Sequence, residues 1–414
     1  MENRKLIIVS ILLNSIEKEV GELVFENGKI YFKYYSSFIK SGFNISPLKL
    51  QFNTEIQQAK EVPFNGLFGV FEDSMPDGWG RLLLDRYLSS KGVNISTINS
   101  LDRLAFVGNQ GMGALIYKPE FDIEGLNDFK IDLDEYNNES KKILNGYDSE
   151  YFDELIKLNG SSGGARPKIL VSYDELNNKF YPNTYPFDEQ HSAWLIKFPS
   201  SSDKIDIANI EYAYHLMALD SGIEMSDCKL FKGKKQQYYF GTKRFDRIGK
   251  NRLHVHSAAG IIHDNFRLSS MDYGHLMDCA YKLENNINAY AKILRIAAFN
   301  VFSNNRDDHS KNFSFLVDEN QNWQLAPAYD LTFSNTSNGF HSTMVAGESK
   351  QPGYHHLIKL ANHFKIPDAA SIIEHVKEII FNWNLYADKA VVSKQSKKII
   401  EKTIEKNYSQ SKSN

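Results

Sequence analysis

The chain has 414 residues, 42% of them apolar and 13% aromatic, enough for roughly two to three packed domains rather than one small core. A formal charge of −3 removes any general case for a nucleic-acid or anionic-membrane binder. Cys228 and Cys279 lie far apart without partner ligands, which argues for a reducing compartment and against zinc or a disulfide framework.

The first apolar run, Leu6–Leu13, follows Arg4 and Lys5 like a secretory leader. It lacks a small-x-small cleavage site and falls far short of the roughly 20 residues a membrane span needs. It reads as a buried strand. No later stretch is more apolar, so a soluble cytoplasmic protein without membrane contact is expected. Strands are expected over Ile7–Asn14, Glu19–Phe25 and Lys29–Tyr35, with a hairpin turn at Glu26-Asn27-Gly28. Ile45–Phe52 is a further candidate strand. The segment Met75–Leu84 (MPDGWGRLLL) leads into a helix over Arg81–Ser89 that Asp77 or Asp73 would cap. Leu101–Phe106 reads as a short helix, and Gly108–Gly113 as a turn feeding a strand at Ala114–Tyr117.

From Pro119 to about Leu155 the chain is acidic and turn-rich, with little continuous apolar pattern, and a domain boundary is placed there. Asn159–Gly164 (NGSSGG) is a small-residue loop, followed by strands at Lys168–Tyr173, Phe180–Tyr181, Ala193–Phe198 and Tyr238–Phe245. Apolar periodicity places a helix at Ile210–Ser221. Beyond that the chain turns helical over Tyr273–Leu283, Asn285–Ser303, Gly353–Phe364, Asp368–Tyr386 and Val391–Lys406.

Inside this helical part, Asn304–Asn312 (NNRDDHSKN) puts Asp307 five residues before Asn312, with His309 between them. Asp330 follows in the apolar setting Ala326–Leu331 (APAYDL). Protein kinases use this arrangement. A loop aspartate takes the proton of the attacking hydroxyl, while an asparagine five residues on and a second aspartate hold Mg²⁺. The spacing favours Asp307 over Asp308 as the base. An exposed polar loop would look similar, but a lone carboxylate among apolar residues needs a cation or a donor if it is buried. Lys197 lies mid-strand opposite the face of Trp194, Ile196 and Phe198, placed to pair with ATP phosphates, and Glu211 in the next helix is its natural partner. Lys168 is a second candidate. Ser161, Ser162, Gly163 and Gly164 supply loop backbone and hydroxyls beside the phosphates. His254 and His256 alternate like a metal pair but have no evident third ligand, which favours a structural or substrate-side role.

So many ordered segments resemble one family, the HipA-type serine/threonine kinases, toxins of bacterial toxin–antitoxin pairs. The resemblance runs through Met75–Arg81, Gly108–Gly113, Gly163–Lys168, Leu195–Lys197, Lys243–Arg247, Arg252–His256, Asn305–Asn312 and Ala326–Leu331. It implies an α+β, two-lobed kinase-like fold with an extra N-terminal β-rich subdomain. The expected divisions are 1–145 (N-terminal subdomain), 146–247 (kinase small lobe) and 248–414 (all-helical large lobe). It implies ATP and Mg²⁺ as ligands, Asp307 as base, Asn312 and Asp330 as metal ligands, and Lys197 as the phosphate lysine. The same resemblance implies that His309 lies close to the nucleotide and that Lys243, Arg244 and Phe245 form the hinge that meets adenine. It further implies autophosphorylation of a loop serine, Ser161 by register with Ser162 as the alternative, that inactivates the kinase. Family members phosphorylate aminoacyl-tRNA synthetases and are neutralised by a separate helix-turn-helix antitoxin (HipB-like), contacting DNA only through that complex. Arg166-Pro167 stands where related loops often carry Gln-Glu, and proline brings no N–H donor. Two other functions compete: a regulatory protein on a dead kinase scaffold, and a small-molecule or lipid kinase.

Overall fold

The computed structural model describes residues 5–121, 129–159, 163–183, 190–201, 203–234, 236–336 and 338–412. It is a mixed α+β protein that packs as two compact units. One comprises the chain up to Lys204 with Phe231–His256 and Leu316–Gln321, and the other Ile205–Leu230, Ser257–Phe315 and Asn322 onward.

The first unit opens with the expected strands β1 (Lys5–Leu13), β2 (Ile16–Glu26) and β3 (Lys29–Tyr34). The β2–β3 turn uses Asn27 and Gly28 at positive φ, as a tight hairpin requires. With β4 (Gln57–Gln58) and β5 (Leu115–Lys118) they form a five-stranded antiparallel sheet in the order β4-β3-β2-β1-β5. Around it lie α1 (Ser36–Ser41), α2 (Gly69–Glu72), α3 (Trp79–Ser90) and α4 (Ser100–Val107).

Ile45–Phe52 is not a strand. Asn44 accepts from the Ser46 amide at 2.9 Å and donates to the Leu50 carbonyl at 2.8 Å, so its side chain satisfies the backbone in a turn. His254 and His256 hold that turn and are not a metal pair. His254 Nε2 lies 2.9 Å from the Ile45 carbonyl. His256 meets Ser46 Oγ at 3.0 Å and Asp73 at 2.6 Å. With Asp73 so engaged, neither proposed aspartate caps α3. Its N-cap is Gly78, and Asp77 accepts the Gly78 amide instead.

Burial pushes the His254 pKa down to about 4, the Ile45 hydrogen bond opposing and His256 adding to the fall. The unfolded chain therefore binds this proton first. Above about pH 6.5 His254 is neutral in both states, and stability then falls by about 3 kcal/mol as pH drops toward 4. We expect the urea midpoint to fall over that window and His254→Gln to flatten the fall; an unchanged slope in the variant would contradict the assignment.

The second sheet of this unit runs β7-β6-β8-β10-β9. Its strands are β6 (Lys168–Asp174), β7 (Lys179–Pro182), β8 (His191–Lys197), β9 (Cys228–Lys232, of which Phe231–Lys232 belong to this unit) and β10 (Tyr238–Lys243). The acidic stretch after Pro119 is more structured than its pattern suggested. It contains α5 (Leu133–Leu144), capped by Asp132, and α6 (Phe152–Asn159). Leu133, Tyr136, Ile143 and Leu155 from it join one core with Val171 and Trp194. The acidic residues between the apolar ones had masked a helical stripe.

The second unit begins with α7 (Ile207–Asp220). After the hairpin β11 (Arg247–Ile248) and β12 (Asn251–Arg252) of the first unit and the strand β13 (His254–Ser257), it continues through α8 (Ala258–Ile262), α9 (Tyr273–Glu284) and α10 (Asn288–Ser303). The strands β14 (Ser314–Val317) and β15 (Trp323–Leu325) interrupt the helical run. It closes with α11 (Tyr354–His363), α12 (Ala369–Phe381), α13 (Trp383–Lys389) and α14 (Lys394–Lys412). The single helix expected over Asp368–Tyr386 is broken at Asn382, whose side chain donates to the Glu378 carbonyl at 3.0 Å. α10 is the central helix, packed by α9, α11, α12 and α14. Tyr214 of α7 donates to the Ser303 carbonyl at its C-terminus. Among the described residues no helix is long and apolar enough to cross a membrane.

Candidate active site

The site grows from the end of α10. Asn304 caps it in the left-handed region at φ 61°, which frees the chain to turn. Asn304 Nδ2 donates to the Ser334 carbonyl at 3.1 Å, and the Ser334 amide returns to Asn304 O at 3.1 Å. The turn therefore cannot swing.

The adjacent aspartates then part company. Asp307 is open, with 56% of its side chain exposed. Asp308 is buried and fully engaged. It accepts from Tyr273 Oη (2.9 Å), the amides of Ser342 (2.9 Å) and Thr343 (3.2 Å), and His341 Nδ1 (3.2 Å). Tyr273 also accepts from Asn300, which accepts from Asn305, so one chain of hydrogen bonds ties α9, α10 and the loop. Burial, and then the Asp308 charge, raise the Tyr273 pKa well above the ordinary value. The phenol thus stays a donor.

Asn312 Nδ2 donates to the Asp307 carbonyl at 2.8 Å. This fixes the five-residue loop and leaves Oδ1 as the atom available to a cation. Tyr329 Oη donates to the Lys311 carbonyl at 2.7 Å and lies 2.6 Å from Ser314 Oγ, bringing the segment of Asp330 against the loop. Asp330 itself sits at φ 57°, in the left-handed region that Asn and Asp adopt more readily than most residues. A cleft opens here, lined among others by Asn305, Asn312, Ser314 and Tyr329. Asn305 Oδ1 is buried with no hydrogen-bond partner among the described residues, as is His309 Nδ1. His309 Nε2 stands 3.9 Å from Asp307. The Asn312 amide oxygen and the Asp330 carboxylate are hard oxygens of the kind that Mg²⁺ takes. Asn305 and Asp308 are the residues the sequence reading missed. The first lay in view within the motif; the second gains its role from residues 33–35 positions away.

In the first unit, Trp194, Ile196 and Phe198 are buried on one face of β8 while Lys197 is partly exposed on the other, 5.7 Å over the Phe240 ring. Glu211 is buried in α7 of the second unit. Ser161 and Ser162 lie outside the described residues. Gly163 and Gly164 follow them, and Lys168 Nζ donates to the Gly163 carbonyl. Lys168 therefore braces the loop. The Trp79 amide donates to Gly164 O at 3.0 Å, and a Cβ on Gly78 would come within 2.4 Å of that oxygen. The MPDGWGR segment is thus the backbone seat of the loop base, and only glycine fits at position 78. Arg166 makes a two-pronged ion pair with Asp203, at 2.9 and 3.0 Å.

At the hinge, Lys243 ends β10 and Phe245 is partly exposed. The Arg244 side chain turns into the fold. Its guanidinium is buried on Asp246 (2.9 and 2.7 Å) and the Gly111 carbonyl (3.2 Å). Arg247 joins the same carboxylate at 2.6 Å. Although burial favours protonation of Asp246, the two guanidiniums hold its pKa well below the carboxylate range.

The fold and these loops place the chain within a protein class defined by paired domain models. Residues 10–118 match the HipA N-terminal domain and residues 160–383 the HipA-like C-terminal domain. The chain belongs to the HipA family. The solved structure of the Shewanella oneidensis MR-1 toxin–antitoxin system HipA, in complex with HipB and operator DNA, is similar over 97% of this chain and 96% of that one. The TM-score is 0.67 and the identity 17%, a likeness of fold. The Helicobacter pylori proinflammatory kinase CtkA aligns over 54% of this chain and 88% of its own, at 14% identity and a TM-score of only 0.34. No curated protein matches the chain.

Proposed function

We propose that the chain is an ATP- and Mg²⁺-dependent serine/threonine protein kinase that acts as a growth-arresting toxin. The observation that carries this reading is the division between Asp307, open toward solvent, and Asp308, buried as its anchor, with Asn312 clamped to the same loop. Asp307 takes the proton of the acceptor hydroxyl as its oxygen bonds to the γ-phosphorus and the bond to ADP breaks. Asn312 and Asp330 hold the metal, which neutralises charge on the phosphates when bound. Lys197, Glu211 and the amides around Gly163 and Gly164 are assigned to the phosphates. Lys243 and Phe245 meet the adenine through the hinge, and His309 faces the nucleotide.

Family resemblance extends this reading to a HipB-like antitoxin, to DNA contact through that complex alone, and to an aminoacyl-tRNA synthetase as substrate. Incubation with Mg²⁺-ATP followed by mass measurement, and a phosphopeptide comparison on induced expression, test it. Absence of any added phosphate on protein or partner would favour a dead scaffold; phosphate found only on metabolites would favour a small-molecule kinase.

Self-inactivation is assigned to Ser161, with Ser162 as the alternative. A phosphate adds about −1.5 to −2 charge to a loop that must cradle ATP. Ser161→Ala is expected to remain active over prolonged Mg²⁺-ATP incubation while the parent chain loses activity. Phosphate mapped to Ser162 alone would move the assignment.

A further inference from the structure

Within the second unit lies another open pocket, lined by Arg306, His341, Gln351, Tyr354, His355 and His356 among others. It shares no lining residue with the cleft at Asn312. No carboxylate lines it, so its walls present positive charge and hydrogen-bond donors.

Two groups are committed on one side only. The His341 side chain is just 2% exposed. Its Nδ1 turns to Asp308, while Nε2 has no partner among the described residues. Arg306 gives Nε to Asn304 Oδ1 at 2.9 Å and Nη1 to the Gly339 carbonyl, both neutral acceptors. Its Nη2 makes no hydrogen bond among the described residues. The acids nearby are already engaged. Asp308 is saturated by Tyr273, Ser342, Thr343 and His341. Glu348, which acts on His356 through its charge, accepts the amides of Lys350 (2.7 Å) and Gln351 (3.0 Å). A cation is disfavoured: no group of three or more His, Cys, Asp or Glu among the described residues is disposed to hold one, and Arg306 would repel it. A guanidinium and an imidazole lining one polar pocket suit a tetrahedral anion.

We propose that this cavity binds a phosphate group on Arg306 and His341, carried either by inorganic phosphate or by a phosphorylated serine or threonine side chain. Both anchors belong to the catalytic loop's own support, since Arg306 precedes Asp307 and His341 holds Asp308. Occupancy therefore stiffens the loop. That regulatory consequence rests on the kinase reading, whereas the binding does not.

The test titrates the full chain with inorganic phosphate at fixed pH and ionic strength, following histidine ring ¹H–¹⁵N correlations. Spectra of His341→Gln and His356→Gln assign the rings. Saturable shifts at His341 and His356 are expected, weakened about tenfold or more by Arg306→Gln, as loss of a charge-assisted hydrogen bond implies. Should Arg306→Gln fail to fold, exposed His355→Gln and partly exposed His356→Gln serve, each expected to weaken binding. A phosphothreonine peptide forms the second arm: tighter binding than phosphate assigns the site to modified protein, and equal or weaker binding to the free ion. Absence of saturation at these rings, or saturation indifferent to every substitution, overturns the proposal. Running the titration on Asp307→Asn keeps it independent of phosphoryl transfer, so either reading can fail alone.

Discussion

Asp307→Asn is expected to lower phosphoryl transfer by about 10³-fold while leaving the folding midpoint in place. Loss of a positioned general base costs on the order of 10²–10⁴ in rate. The substitution is nearly isosteric, and the side chain is more than half exposed. The Asp307 carbonyl that receives Asn312 is backbone and survives the change. Mg²⁺-ATP affinity should therefore hold while turnover collapses, a separation that misfolding would not produce. The check is initial-rate phosphorylation beside nucleotide binding on the same sample. Undiminished transfer would remove Asp307 from the base position.

Much of the fold was legible because burial imposed a period. β8 alternates Trp194, Ile196 and Phe198 inward against Leu195 and Lys197, and the strand is where that alternation placed it. α10 read correctly for the same reason at helical spacing. Errors fell where a polar group replaced periodicity as the organiser. Asn44 wraps the backbone of the segment that resembled a strand. Acidic residues hid the stripe of α5. At the site, the spacing to Asn312 ranked Asp307 above Asp308 but assigned no task to the second aspartate. Arg244 shows the same limit: its partners, Asp246 and Gly111, come from next door and from far upstream, and only their meeting converts a hinge candidate into a buried clasp.

Asp308→Ala should have the opposite signature to Asp307→Asn: a loss of about 4 kcal/mol of local stability, with the base itself untouched. Removing the carboxylate strands the Ser342 and Thr343 amides, the Tyr273 hydroxyl and His341 Nδ1 in a buried setting. Each orphaned donor costs about 1–3 kcal/mol, partly relieved by entering water. Amide exchange at Ser342 and Thr343 is therefore expected to accelerate by about 10³-fold, while the β1–β5 sheet of the first unit keeps its protection. Asp308→Asn should recover part of this, because an amide oxygen still accepts one or two of the four donors. Activity should fall with Asp308→Ala because a loosened turn no longer aims Asp307, and should return in part with Asp308→Asn. If Asp308→Asn instead stays fully protected yet catalytically dead while Asp307→Asn remains active, the roles of the two aspartates are reversed.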